Sequence, residues 1–185
     1  SKPIYLANSF HGAKALSIIK GLQEGDVHVV RNAVLEKDID GIQEGWQKTI
    51  SRNSNVLTFT MIANFFEYKD HATLIDGFIQ AIKNHPNIRL LLAGKGGPQH
   101  CKDRMASLEK KVRSEYLEER IVFLGSVRNT RSLLDITDVG VLSSSSAEGC
   151  PNAILEYMSH ALPVVASNIA ANQEVLPERQ LEYVF

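Results

Sequence analysis

Two glutamates, Glu148 and Glu156, bracket a run of small and turn-forming residues, Gly149-Cys150-Pro151-Asn152-Ala153. The run follows an apolar segment, Val139 to Leu142, and the four serines Ser143 to Ser146. It leads into a helical pattern that lasts to His160. Free backbone N–H groups at a helix start form an anion site by geometry. A small-residue turn between strand and helix is also where open α/β sheets bind phosphorylated ligands. Glu156 shares a helical stripe with Asn152, Ser159 and His160, away from Ile154, Leu155 and Met158, so it can reach past the helix start toward a ligand.

Spacing alone does not make these carboxylates a site. Glu36 and Glu44, and Glu174 and Glu182, stand at the same separation. An ordinary tight turn, a solvated Glu148 and a Glu156 that only complements the helix dipole therefore remain open. Lys69 ends the loop Asn64-Phe65-Phe66-Glu67-Tyr68-Lys69 after another strand pattern, where a lysine can reach a phosphate at the carboxyl edge of a sheet. Gly94-Lys95-Gly96-Gly97 occupies the next such loop. It has neither the dinucleotide Gly-x-Gly-x-x-Gly nor the Walker Gly-Lys-Ser/Thr ending, which removes support for classical NAD binding and P-loop hydrolysis. The serines are not framed as Gly-x-Ser-x-Gly, and the sequence sets no histidine beside Cys150. Hydrolase and thiol chemistry both lose ground.

The elements that would position these residues alternate. Strand patterns cover Ile4 to Ala7, Val27 to Val30, Val56 to Ile62, Asn87 to Ala93, Arg120 to Leu124, Val139 to Leu142 and Pro163 to Ala166. Helical patterns cover about His11 to Leu22, Asp70 to Lys83 and Cys101 to Leu117, the last with Met105, Leu108, Val112 and Tyr116 on one side. Asn129 can cap a short helix through Ile136. Strands apolar on both faces that alternate with helices predict a doubly wound α/β fold with a parallel sheet. The polar stretch Leu35 to Asn55 reads as a connector, in which Ile42 and Trp46 could support a short helix.

At 185 residues, 44% hydrophobic and 22% charged, the chain has the make-up of a globular protein. A net charge of −1 gives no pull toward nucleic acid. Two cysteines, Cys101 and Cys150, and scattered histidines offer no disulfide framework and no metal-ligand spacing, so no metal is expected. No signal peptide opens the sequence and no apolar run approaches transmembrane length, which leads to an expected cytoplasmic setting. The start leads straight into the strand-like Ile4 to Ala7 and the end stops on an apolar run, Glu182 to Phe185, so a fragment of a longer protein is expected.

Several motifs, taken in order, resemble those of the retaining glycosyltransferases of family 4, with the GT-B fold. They are Arg31-Asn32-Ala33-Val34, Ile62 to His71, Leu92-Ala93-Gly94-Lys95-Gly96, Val122 to Val127, Ser144 to Met158 and Leu162 to Ser167. The resemblance implies a Rossmann-like C-terminal donor domain over 56–185, truncated at its end. It also implies a connector over 35–55 and, over 1–34, the tail of an N-terminal acceptor domain with the crossover.

The same resemblance implies roles. Glu148 matches the glutamate that contacts the donor sugar, Glu156 the one that holds the ribose hydroxyls, and Lys69 the lysine on the donor diphosphate. Gly149, Cys150, Pro151, Asn152 and Ala153 would meet phosphates or sugar, with Asn64 and Gly94 beside them, while Gly125 and Val127 would line the base pocket. No cofactor is implied beyond a UDP- or GDP-linked sugar as substrate, transferred with retention to a glycan or lipid-linked acceptor. The implied setting is polysaccharide or glycolipid synthesis, with peripheral association at the inner membrane face as an option. Three departures stand out: Ala63-Asn64 where many members have Gly-Arg, Ala170-Ala171 where Gly-Gly is common, and the absence of the acceptor half. A catalytically silent nucleotide-sugar-binding module and a GT-B-fold epimerase are the alternatives.

Overall fold

The computed structural model describes residues 3–23, 25–34, 45–146 and 148–185. Strand β1 (Tyr5–Ala7), helix α1 (Phe10–Lys20) and strand β2 (Val27–Val29) come first, and β1 pairs with β2 in parallel. Ser9 caps α1 through its side chain, and Gly21, at φ +62°, ends it in the left-handed conformation that glycine adopts without strain.

The main sheet has five parallel strands in the order β5-β4-β3-β6-β7: β3 (Leu57–Ile62), β4 (Ile88–Ala93), β5 (Ile121–Gly125), β6 (Val139–Leu142) and β7 (Val164–Ala166). Helices α2 (His71–Asn84), α3 (Gln99–Ser114), α4 (Thr130–Leu134) and α5 (Asn152–Ser159) form the crossovers, and α6 (Ala170–Val175) follows β7. Strand β4 shows why the strands read as continuous apolar runs. Leu90 and Leu92 enter one core cluster with Phe78 of α2 and Val112 of α3, whereas Leu91 and Ala93 enter a second with Ile50 and Leu133. Alternate side chains point to opposite faces, and both faces are covered.

The chain leaves the sheet centre through β4 and β5, then returns to the other side of β3 through β6 and β7. Order reverses between β3 and β6, and in open parallel sheets a crevice opens at such a switch point, beyond the carboxyl ends of the two strands. Here β3 and β6 pair only at Phe59–Val139 and Thr60–Gly140 before they diverge. The Tyr157 hydroxyl fills the gap. It accepts the Ile62 N–H at 2.8 Å and donates to the Val141 carbonyl at 3.2 Å. Its ring lies across Gly140, where a Cβ would come within 2.3 Å of it.

One local expectation changes, and two segments gain detail. Helix α3 stops at Ser114. Tyr116, expected on its apolar side, takes φ +58° and is 91% exposed. The Leu117 N–H returns to the Val112 carbonyl across it, so Tyr116 occupies the left-handed position of a helix-ending motif usually filled by glycine. In the expected connector, a 3-10 turn over Gly45–Lys48 carries Trp46, and Ile50 is buried; Ile42 lies outside the described residues. Beyond α6, a 3-10 segment over Glu178–Tyr183 brings Val184 alongside Ala166 in a parallel bridge.

Candidate functional site

The two loops that leave the switch point are joined by the serine tract. Ser143 Oγ lies 2.9 Å from the Lys69 carbonyl oxygen and 3.1 Å from that of Asp70, and the Ser145 N–H donates to the Tyr68 carbonyl at 2.8 Å. Ser144, between them, turns the other way and donates to Oε1 of Glu148. The loop held by Ser143 and Ser145 contains a 3-10 turn, Glu67–Lys69. It ends at Asp70, whose left-handed backbone (φ +47°) and side chain cap α2. Lys69 is thereby placed opposite Glu148, and the two form an ion pair on the same Oε1. Both are largely withdrawn from water, their side chains 16% and 9% exposed, so the pair lies in a medium where charge attraction outlasts ordinary screening.

Helix α5 begins at Asn152 with Pro151 before it and no side-chain cap; the Ile154 N–H turns back to the Pro151 carbonyl at 3.1 Å, which leaves the N–H groups of Asn152 and Ala153 at the helix start for an anion. One turn on, Glu156 faces the same crevice. Its Oε2 is buried and has no hydrogen-bond partner among the described residues. Burial raises the pKa of this carboxyl; a hydrogen bond from Thr130 and the nearby His160 oppose the rise. A buried carboxylate oxygen without a donor costs free energy, on the order of 1–3 kcal/mol, until a ligand supplies one.

The third loop, after β4, is pinned on both sides. The Gly94 N–H donates to the Gly125 carbonyl at 2.8 Å, the Lys95 N–H to Asn64 Oδ1 at 2.9 Å, and the Phe65 N–H to the Lys95 carbonyl at 3.1 Å. Only glycine fits at position 94, because a Cβ there would stand 1.9 Å from the Ala63 carbonyl oxygen.

These elements enclose a cleft of about 610 Å³. Glu148, Lys69, Glu156, Cys150, Pro151, Asn152, Ala153, Asn64, Gly94 and Val127, singled out from the sequence, all line it. Two others do not. Gly125 supports the wall through its carbonyl and its positive φ, and Gly149 packs against Asn8, whose Oδ1 would lie 2.4 Å from any Cβ there. Cys150 is buried, and its carbonyl accepts from Asn32 Nδ2 at 3.3 Å, the same amide that reaches Asn152 Oδ1 at 2.7 Å.

Ser144, Thr130, Asn32 and Asn8 join the site only in the fold. The run of serines between a strand and Glu148 is a usable signal in the sequence, and Asn32 stands in one of the resembling motifs without a role at the site; Asn8, more than a hundred residues from Glu148, carries no signal. Near the cleft, His71 is buried and stacked on Phe65, with ring centroids 4.1 Å apart. Burial pushes its pKa down to about 4, so the imidazole is neutral.

Residues 56–185 match the family model described as glycosyl transferases group 1. The chain is similar to a phosphatidylinositol N-acetylglucosaminyltransferase subunit of Arabidopsis thaliana, at 27% identity over 91% of this chain and 35% of that protein. It is also similar to the UDP-Gal:alpha-D-GlcNAc-diphosphoundecaprenol alpha-1,3-galactosyltransferase of Escherichia coli, at 30% identity over 79% of this chain and 38% of that protein. The chain therefore spans little more than a third of the length of these relatives. Among solved structures, Anabaena Alr3699/HepE in complex with UDP and glucose shares the fold with a TM-score of 0.77, at 22% identity over 94% of this chain and 46% of that one.

Proposed function

The chain belongs to the glycosyl transferases group 1 family, and on that premise we propose that its cleft binds a nucleoside-diphosphate sugar whose sugar passes to an acceptor with retention. The observation that carries this reading is the unpaired, buried Oε2 of Glu156, in one cleft with an uncapped helix start and the Lys69–Glu148 pair. A ribose supplies the missing hydroxyl donors. The diphosphate lies over the first turn of α5 within reach of Lys69, which keeps its contact with Glu148, and the sugar lies against Glu148.

The reaction breaks the bond between the anomeric carbon and the diphosphate oxygen, and negative charge grows on the departing group. Lys69 and the free N–H groups at the start of α5 line the same cleft, so little reorganisation is needed as the charge develops. In the retaining course, the acceptor approaches from the face the diphosphate leaves.

Uridine is the base we favour, since the Escherichia coli relative is named for a UDP-linked galactose and the Anabaena structure holds UDP and glucose. A lipid-linked or glycan acceptor fits the names of both enzyme relatives. It would be bound mainly by sequence outside this chain, in a protein working at the cytoplasmic membrane face. Among the described residues, no helix is long and apolar enough to cross a membrane.

Calorimetric titration with UDP, GDP and ADP tests the reading. Binding of UDP that weakens at least tenfold in Glu156→Gln is the expected result, and no binding of any of the three would remove it. In the full-length protein, transfer that survives Glu148→Ala unchanged would instead point to a silent binding module.

A further inference from the structure

We propose that Ser144 is a positioning residue, which sets the carboxylate of Glu148 so that Oε1 is committed to the protein and Oε2 is left for a hydroxyl of the donor sugar. This rests on the donor-site reading above. A carboxylate can rotate about its last bond, and each oxygen has two acceptor directions. Lys69 Nζ and Ser144 Oγ approach Glu148 from different elements and meet on the same oxygen. Two donors on one oxygen fix the plane of the group and therefore the direction of the other.

Ser144 can act as such a stop because its own backbone is locked from behind. It is 0% exposed, and its carbonyl accepts the Ser167 hydroxyl. Asn172, also 0% exposed, donates from Nδ2 to the Ser167 carbonyl at 2.9 Å and lies 3.2 Å from its Oγ. A chain of hydrogen bonds thus runs from Asn172 on α6 through Ser167 to Ser144, buried up to that point, and on to Glu148. The neighbouring serines have separate duties, since Ser143 and Ser145 hold the loop of Lys69. With Ser143 and Ser145 bonded to the loop of Lys69 and Ser144 to Glu148, the tract serves both partners of the ion pair. Removing its hydroxyl should leave the Lys69 loop in place and free only the Glu148 carboxylate.

The test compares the affinities of UDP, UDP-glucose, UDP-galactose and UDP-N-acetylglucosamine for the purified chain and its variants, with thermal melts to confirm folding. Ser144→Ala should bind UDP within about twofold of the unaltered chain. Its affinity for the preferred UDP-sugar should fall roughly tenfold, the loss expected for one hydrogen bond to a charged group. Ser144→Thr, which keeps the hydroxyl, should restore most of that loss. Ser167→Ala, acting one step further back, should give a smaller loss in the same direction. Parallel losses for UDP and UDP-sugar, no loss, or no rescue by threonine would overturn the role of Ser144. If UDP binds but an attached sugar adds nothing in the unaltered chain, the proposal falls while the donor-site reading stands. If no nucleotide binds, both fall.

Discussion

Lys69 and Glu148, 79 residues apart in the chain, meet in an ion pair where β3 and β6 part. Neither is fully buried, but each shields the other. Lys69→Met should destabilise the chain by about 2 kcal/mol, because it removes one partner of an ion pair that is largely withdrawn from water. In Lys69→Met combined with Glu148→Gln, more than half of that loss should return. A urea-denaturation double-mutant cycle reads the coupling; strictly additive costs would show that the two charges do not stabilise each other.

Glu156 should make nucleotide binding depend on pH. Burial raises the pKa of this carboxyl, and a ribose hydroxyl needs the ionised form as acceptor. UDP affinity should therefore fall as pH drops through that raised pKa. Glu156→Gln should bind more weakly at neutral pH but lose this part of the dependence. The comparison is made by calorimetry between pH 4.5 and pH 8, and parallel profiles for the two proteins would contradict it.

His71 should make stability depend on pH in the range below that. Its ring is neutral in the fold, with a pKa of about 4 against the usual 6.5. The unfolded chain therefore takes up a proton first as pH falls, and the favourable contribution present above pH 6.5 is lost progressively toward pH 4. The shift corresponds to about 3 kcal/mol. His71→Phe should flatten this part of the stability curve measured by urea denaturation at successive pH values; an unchanged slope would assign it to the carboxylates.

Tyr157 and Gly140 together close the sheet at the switch point. Tyr157→Phe leaves the Ile62 N–H without its acceptor and should cost about 1–3 kcal/mol. Gly140→Ala drives a methyl into the Tyr157 ring, where a Cβ would be 2.3 Å from the ring carbon, and should cost about 3 kcal/mol or more. Thermal melts of the two variants rank them, and a neutral Gly140→Ala would show that the ring can move aside.

Glu174 on α6 accepts the N–H groups of Phe10 and His11 at 2.8 and 3.1 Å, and Arg31 is 3.5 Å from the same carboxylate. It complements a helix start that has no acidic residue of its own. Glu174→Ala should cost about 1 kcal/mol and speed hydrogen exchange at Phe10 and His11 before any effect reaches β3. Equal acceleration across both sheets would mean that this contact does not act locally.

The alternation of strands and helices, the parallel sheet and the loops at its carboxyl edge were all legible in the sequence, because burial on both faces of β4 demands an apolar run and α2 demands an apolar stripe. The same local reading failed at Tyr116, which keeps the spacing of the α3 stripe but follows the turn that ends the helix. Glu148, Glu156 and Lys69 could be named in advance as residue types in suitable turns. Their spacing gave no reason to prefer them over Glu36 and Glu44, and the resemblance of the surrounding motifs supplied that preference.

The tertiary structure alone decided how they meet. Strand order, set by the packing of the whole sheet, puts β6 beside β3 and brings the two loops together. The buried hydrogen bonds of Ser144, Ser167 and Asn172 then fix which oxygen of Glu148 the protein uses. Periodicity is a property of neighbours along the chain. The orientation of the Glu148 carboxylate depends on donors from two loops, one of them braced from α6, and their free energies become coupled only once the sheet has formed.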